Sequence, residues 1–323
     1  MNIKFGIIGL GKISNRFAAA LNTVQGVELA AVASRDQSKS DAFAMKYGAA
    51  RAYGSYLELI LDKDIDVVYI GLVNNLHYEI TRLCLEHHKP VLCEKPLVTT
   101  LKEAEKLIAL ARQNKTFLME AMWSRCMPAF RQAKAWVKAG EIGEVKLITA
   151  NFSYLSAYDV EKRQYSDALE GGSLFDVGVY PIAFATGILE EYPTAVTGLA
   201  RVAPTGVDEA ASFSMIFASG ALASLNSGFT VDAKGENVIY GTRGRIVLET
   251  CYNSQWCDRY DENGVLSAHF EERVPDGFVY QIQHCADLLR EGKLESDLIP
   301  LEDTLASARI FDSLYRQWGL LKE

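Results

Sequence analysis

Three stretches of this chain combine residue types that chemistry needs. The first is Cys93-Glu94-Lys95-Pro96, which follows the apolar run Val91-Leu92-Cys93. In an open parallel sheet, residues just past the carboxyl end of a strand face the ligand crevice. A partly desolvated ammonium there orients a hydroxyl or carbonyl oxygen. The second is Glu170 to Pro181, which holds Asp176 and Tyr180. Four residues apart, they share one face of a helix, although Pro181 biases Tyr180 away from helical geometry. An aspartate and a tyrosine in an apolar run need partners if buried. A neighbouring lysine lowers a tyrosine pKa and makes it a usable proton relay. Lys95, Asp176 and Tyr180 are therefore the candidate catalytic residues.

The third stretch is Gly9-Leu10-Gly11-Lys12-Ile13-Ser14, a G-x-G-x-x-S loop between a strand-like and a helix-like segment. Gly9 permits a tight turn, Gly11 lets the backbone approach a pyrophosphate, and a small residue at 14 allows close helix–strand packing. The helix N-terminus then faces the phosphate charge. Leu10, Lys12 and Ile13 belong to the same dinucleotide cradle. NAD sites place Asp or Glu on the ribose about 20 residues later. Here that place is held by Ser34-Arg35. A hydroxyl and a guanidinium attract a 2′-phosphate that a carboxylate repels, so NADP is expected, with NAD as the alternative. Asp36 is either a ribose ligand or an acid at the next helix's N-terminus.

These residues need a scaffold. Short apolar runs at 5–8, 27–33, 67–70, 91–93 and 117–119 alternate with helical patterns that end near 21, 47, 61, 88 and 114. Such alternation predicts a doubly wound parallel sheet, a Rossmann domain over residues 1–121. From 122 to 323 the rhythm changes to longer strands with a few helices: an α+β domain with an open, largely antiparallel sheet, expected to bind substrate. Ala210 to Val231 carries no charge, but its serines and glycines read as a hairpin turning at Ser219-Gly220, not a membrane span.

The chain has 323 residues, 33 basic and 41 acidic, a net charge of −8. Nucleic-acid binding is not expected, because neutralising phosphates needs a basic face. Six scattered cysteines fit neither a disulfide framework nor a metal site and read as reduced thiols of a cytoplasmic protein. Met1-Asn2-Ile3-Lys4-Phe5 leads straight into a strand-like segment, so no signal peptide is expected. An open sheet with one uncovered face exposes an apolar patch that monomers seldom tolerate, which predicts a homodimer through the C-terminal sheet.

The glycine loop, the Glu94-Lys95-Pro96 triplet, Gly171-Gly172 through Asp176 and Tyr180, and Gly241-Thr242-Arg243-Gly244-Arg245-Ile246 together resemble the Gfo/Idh/MocA oxidoreductases over essentially the whole chain. Met119 to Pro128 looks most like the family's NADP-linked dihydrodiol/D-xylose dehydrogenase branch. The resemblance implies a dehydrogenase of sugars, polyols or cyclic diols. It implies that Lys95 is the central catalytic residue and that Asp176 holds the substrate. Tyr180 stands where most members carry histidine. Asn74, Asn75 and His77 fall where family members contact the cofactor, and Glu94 is placed with them. Trp123 and Arg125 are candidates to contact substrate, by stacking and by hydrogen bonds, and Tyr154 to line a sugar pocket. No metal site is expected.

Overall fold

The computed structural model describes residues 2–233 and 235–321. They divide into two compact units. The first holds residues 1–98, 102–121 and 278–304, the second 99–101, 122–277 and 305–323. A second domain running unbroken from 122 to 323 did not foresee the return of 278–304 to the first unit.

The first unit is built on β1 (Ile3–Ile8), β2 (Val27–Ala33), β3 (Arg51–Tyr53), β4 (Val67–Ile70), β5 (Val91–Glu94) and β6 (Leu118–Ala121). All pair in parallel, in the order β3-β2-β1-β4-β5-β6. Strands β4, β5 and β6 are buried throughout, as expected for strands covered on both faces. The helices are α1 (Lys12–Leu21), α2 (Gln37–Tyr47), α3 (Tyr56–Leu61), α4 (His77–Glu86) and α5 (Leu101–Gln113). Gly48 ends α2 in the left-handed region, at φ 80°. Ser55 stands at the N-cap of α3, but its side chain makes no cap bond. The order of strands reverses between β1 and β4, where ligands of such sheets bind.

The second unit opens with α6 (Pro128–Lys138) and β7 (Val145–Ser153) and continues with α7 (Val179–Leu189), β8 (Pro193–Val202), β9 (Asp208–Phe217) and β10 (Leu222–Gly228). Then come β11 (Asn237–Gly241), β12 (Gly244–Leu248), β13 (Trp256–Asp261) and β14 (Leu266–Glu271). Helix α8 (Phe278–Arg290) belongs to the first unit, and α9 (Leu301–Trp318), which begins there, runs on into the second. The eight strands run β14-β13-β12-β11-β7-β10-β9-β8, antiparallel except for β10 on β7. The uncharged stretch expected as a hairpin is β9–β10, with Gly220 at φ 83° in the turn. Phe213, Met215, Ala223 and Leu225 point into the core against α7 and the turn before it. Ser212, Ser214, Ile216, Leu222, Ser224 and Asn226 form the outer face. Among the described residues one stretch, Asp167–Leu189, is long and apolar enough to cross a membrane, but 94% of its most apolar 18 residues are buried in the core.

Asp176 does not lie on a regular helix. Leu174–Gly178 forms a π turn that runs directly into α7. Pro181 has no N–H for a preceding carbonyl, and the wider turn before it relaxes the register that a regular helix would impose. Asp176 thus lies in the π turn and Tyr180 in the α-helix that continues it.

Candidate active site

The cofactor loop has the geometry its sequence demands. Gly9 sits at φ 84°, and a Cβ there would strike Leu72 and the Gly71 carbonyl. A Cβ on Gly11 would meet nothing within 4 Å, so the space above the loop is open. Ser14 is buried, and its hydroxyl donates to the Gly9 carbonyl, which locks loop to helix. Gly11 caps α1 without a side-chain bond, and the first turn carries no acid. Its N–H groups are thus directed at the open space, which suits a pyrophosphate. Leu10 and Ile13 are half-buried and Lys12 exposed around this opening. At the end of β2, Asp36 turns into its own helix. Its Oδ1 accepts from the Ser38 N–H at 3.0 Å and from the Ser38 hydroxyl at 2.6 Å, which holds its carboxyl below its usual pKa. That leaves Ser34, whose Oγ accepts from the Asp36 N–H at 3.2 Å, and the exposed Arg35 facing solvent at the strand's end. These residues fit a dinucleotide.

Lys95 follows β5 and is half-buried. The main chain just beyond it is pinned at one peptide unit. His77 Nδ1 bonds the Pro96 carbonyl at 2.8 Å, and the Leu97 N–H donates to Glu120 Oε1 at 3.1 Å. Glu120 Oε2 accepts from the Thr304 hydroxyl at 2.6 Å. Glu94 is held likewise, with Oε1 accepting from the Tyr69 hydroxyl at 2.7 Å and Oε2 from the Lys95 N–H at 3.3 Å. Burial pushes both carboxyls above their usual pKa. The Tyr69 ring is itself stacked on Phe17 at 3.6 Å. His77 was expected as a cofactor contact and is not one. It is 1% exposed, and its other nitrogen, Nε2, lies 3.2 Å from the Leu72 carbonyl. Its ring braces the Lys95 turn. Asn74 and Asn75 form a half-buried 3-10 turn after β4, on the open side of the switch point.

In the second unit, Tyr180 and Asp176 have separate supports. The Trp123 indole N–H donates to the Tyr180 hydroxyl at 3.0 Å, and Phe152 and Tyr252 flank the phenol ring at 5.5 and 5.9 Å. Trp123, expected to stack on substrate, is 3% exposed and holds Tyr180 through its indole N–H. Asp176 receives Arg163 at 2.7 Å on Oδ1 and the Tyr154 hydroxyl at 3.1 Å on Oδ2. Burial, with Asp176 next, pushes the Tyr154 phenol far above its usual value, so it stays a donor. Tyr154 therefore orients Asp176. Arg125 is not a substrate contact. It is 4% exposed, its guanidinium bonds Thr186 at 3.0 Å, and a Cβ on Gly187 would collide with it. No group of three or more metal-ligating side chains occurs among the described residues.

Two family models match. One, described as "Oxidoreductase family, NAD-binding Rossmann fold", covers residues 3–122, and the other, "GFO/IDH/MocA C-terminal domain", covers 130–247. The chain belongs to the Gfo/Idh/MocA oxidoreductase family. It is 34% identical over 336 residues to trans-1,2-dihydrobenzene-1,2-diol dehydrogenase of Xenopus tropicalis, covering 99% of both chains. To the Homo sapiens enzyme of that name it is 31% identical over 334 residues, covering 99% of this chain and 98% of that one. Among solved structures it is similar to a 3-ketoreductase from Actinomadura kijaniata in complex with NADP and TDP-benzene, with a TM-score of 0.84, 26% identity and 98% of each chain covered. The Gfo/Idh/MocA chain is accordingly an NAD(P)-binding enzyme of the dehydrogenase and reductase class.

Reading residues alone missed two supports of this Gfo/Idh/MocA site. Glu120 carried a signal, an acid inside the apolar run Phe117–Ala121. Arg163 carried none, because it lies in a single 3-10 turn, Arg163–Tyr165, too short for a periodic pattern.

Glu120 yields a pH-dependent prediction. Its folded pKa is raised, so its contribution to stability is present in acid and lost as pH rises through that value. Glu120→Gln keeps an acceptor for the Leu97 N–H and cannot ionise. Its stability relative to the parent should therefore increase as pH rises from about 4 to 8. Urea unfolding across that range measures it, and a difference that shrinks with rising pH would contradict the assignment.

Proposed function

We propose that this Gfo/Idh/MocA enzyme is an NADP-linked dehydrogenase acting on a CH–OH carbon of a cyclic diol, polyol or sugar. The observation that carries the reading is the Tyr180 phenol, whose oxygen is held by the Trp123 N–H in an aromatic cage beside the supported Asp176. The curated relatives' name supports a cyclic diol as one substrate. The 3-ketoreductase has been solved with a lysine replaced by alanine and with a tyrosine replaced by phenylalanine, which agrees with a lysine and a tyrosine as the residues of interest. For the cofactor, the support is Asp36: as a helix cap it leaves Ser34 and Arg35 to meet a 2′-phosphate.

In the proposed chemistry, Gly9 to Ile13 hold the pyrophosphate, while Ser34 and Arg35 hold the adenosine ribose phosphate. When bound, the nicotinamide supplies or accepts the hydride. Tyr180 removes the hydroxyl proton in oxidation and returns it in reduction. A hydrogen bond donated to the phenol oxygen favours its deprotonated form, which is the part Trp123 plays. Lys95 polarises the reacting oxygen. Asp176, already accepting from Arg163 and Tyr154, anchors a neighbouring hydroxyl. Nicotinamide absorbance followed over aldoses, polyols and dihydrodiols, with each cofactor, tests the reading, and no turnover across the panel would overturn it.

Three outcomes follow from this reading. Lys95→Met and Tyr180→Phe should each lower kcat by about 10²- to 10⁴-fold, with the double variant little worse and the residual Lys95→Met activity moved to higher pH. Ser34→Asp with Arg35→Ala should swing cofactor preference toward NAD by about 10- to 100-fold, as titrated by nicotinamide fluorescence. We also propose that two copies pair through the outer face of the eight-stranded sheet, where the cross-strand pair Ile216 and Leu222 is exposed and, further along, Leu199 is 82% exposed. Sedimentation should give twice the chain mass at micromolar concentration, and Ser224→Arg, at the centre of that face, should halve it.

A further inference from the structure

Gly171-Gly172 stood out in the sequence, and the proposed reaction gives the pair no role. The structure explains it. Gly172 lies at φ 116°, and a Cβ there would fall on Asp208 Oδ1 and on the Tyr315 hydroxyl. Asp208 is 0% exposed at the start of β9. Its Oδ2 accepts from the Ser173 hydroxyl at 2.6 Å and from the Leu174 N–H at 2.8 Å, and its Oδ1 accepts from the Tyr315 hydroxyl at 2.8 Å. The Ser173 hydroxyl also lies 3.0 Å from Ser227 Oγ on β10. Leu174 is the first residue of the π turn that carries Asp176, and the turn continues as α7 to Tyr180.

The first N–H groups of a helical segment have no partner within it. Ser173 stands where a local cap would be, yet makes no side-chain cap bond. Its hydroxyl is donated outward instead, to the same carboxylate oxygen that takes the Leu174 N–H. The segment is thus capped by a side chain 34 residues away in sequence, on another element. We infer that Asp208 is a positioning residue for the reaction: its carboxylate sets where the π turn begins, and hence where Asp176 and Tyr180 are presented. The inference rests on the proposed roles of those two residues.

The charge state matters to this hub. All three neighbours donate, which suits an ionised carboxylate. Burial works against ionisation and pushes the Asp208 pKa up to about 6. Protonation leaves fewer acceptor sites for three donors, and the Leu174 N–H has no means of reversing its role. Tyr315, from α9, does not titrate in this range, because burial and then Asp208 hold its phenol well above its usual value. Asp167 and Glu170 act on Tyr315 in the same direction, and Ser227 on β10 does not titrate. Among the described residues no cation bonds the Asp208 carboxylate.

The test is turnover of trans-1,2-dihydrobenzene-1,2-diol with NADP, from pH 5 to 8, in the full-length enzyme and in Asp208→Asn, Asp208→Ala and Tyr180→Phe. Asparagine keeps one oxygen for Ser173 and Leu174 and turns an amide toward Tyr315. Asp208→Asn, which like the protonated acid offers a single acceptor oxygen, should show at pH 8 the lowered kcat to which the parent is expected to fall below about pH 6, and should have no acidic limb of its own. Asp208→Ala should lose 10-fold or more in kcat, with little change in NADP affinity. Hydrogen exchange should rise over 173–180 in the alanine variant, and a stability loss there does not obscure the asparagine comparison. An unchanged acidic limb in Asp208→Asn, or parental kcat in Asp208→Ala, overturns the inference. Tyr180→Phe separates the two ideas, since parental turnover in that variant overturns the proposed chemistry instead.

Discussion

Buried carboxylates hold main-chain N–H groups in the segments that carry Lys95, Asp176 and Tyr180. Glu94 takes the Lys95 N–H, Glu120 takes the Leu97 N–H, and Asp208 takes the Leu174 N–H. Each also takes a hydroxyl: Tyr69, Thr304, and Ser173 with Tyr315. A side-chain hydroxyl or amide offers one acceptor oxygen, whereas a carboxylate accepts through two and joins elements distant in sequence. The pKa of all three is raised by burial, so the fold bears a desolvation penalty in exchange for defined geometry. Uncompensated, such groups would be among the most destabilising in a core.

The Pro96–Leu97 peptide illustrates the gain. Its carbonyl is fixed by His77 and its N–H by Glu120, so both polar ends of one rigid plane are set. Lys95 precedes this plane directly. A long, flexible lysine stem needs a fixed base if its ammonium is to find a hydroxyl repeatedly. The second unit uses the same logic with aromatic partners: Trp123 fixes the phenol oxygen of Tyr180, and Tyr154 with Arg163 fixes Asp176.

What sequence reading recovered follows from what periodicity encodes. The buried parallel strands, the glycine loop and the β9–β10 hairpin announce themselves through apolar runs and turn residues. Strand β3 escaped, because three half-buried residues at a sheet edge carry no pattern. So did β13 and β14, whose mixed, half-exposed residues alternate weakly. At the site, residue types pointed to Lys95, Asp176 and Tyr180. The direction of a side chain was not legible. His77 and Arg125 were read as reaching for a ligand, and both are buried and bonded to other groups of the protein. Whether a polar side chain serves a ligand or the backbone depends on tertiary partners that spacing does not reveal, as Asp208 also shows.

All six cysteines are free and buried. Burial pushes Cys84 and Cys257 up to about 12, and Cys93 and Cys251 are raised as well. Thiolate, not thiol, reacts with electrophiles and peroxides. The folded enzyme therefore offers alkylating reagents no ready target, and its native thiols need not be removed before labelling. A single cysteine introduced on an exposed helix face would be the one addressable handle for a fluorophore or a surface tether, with the buried six as a silent background.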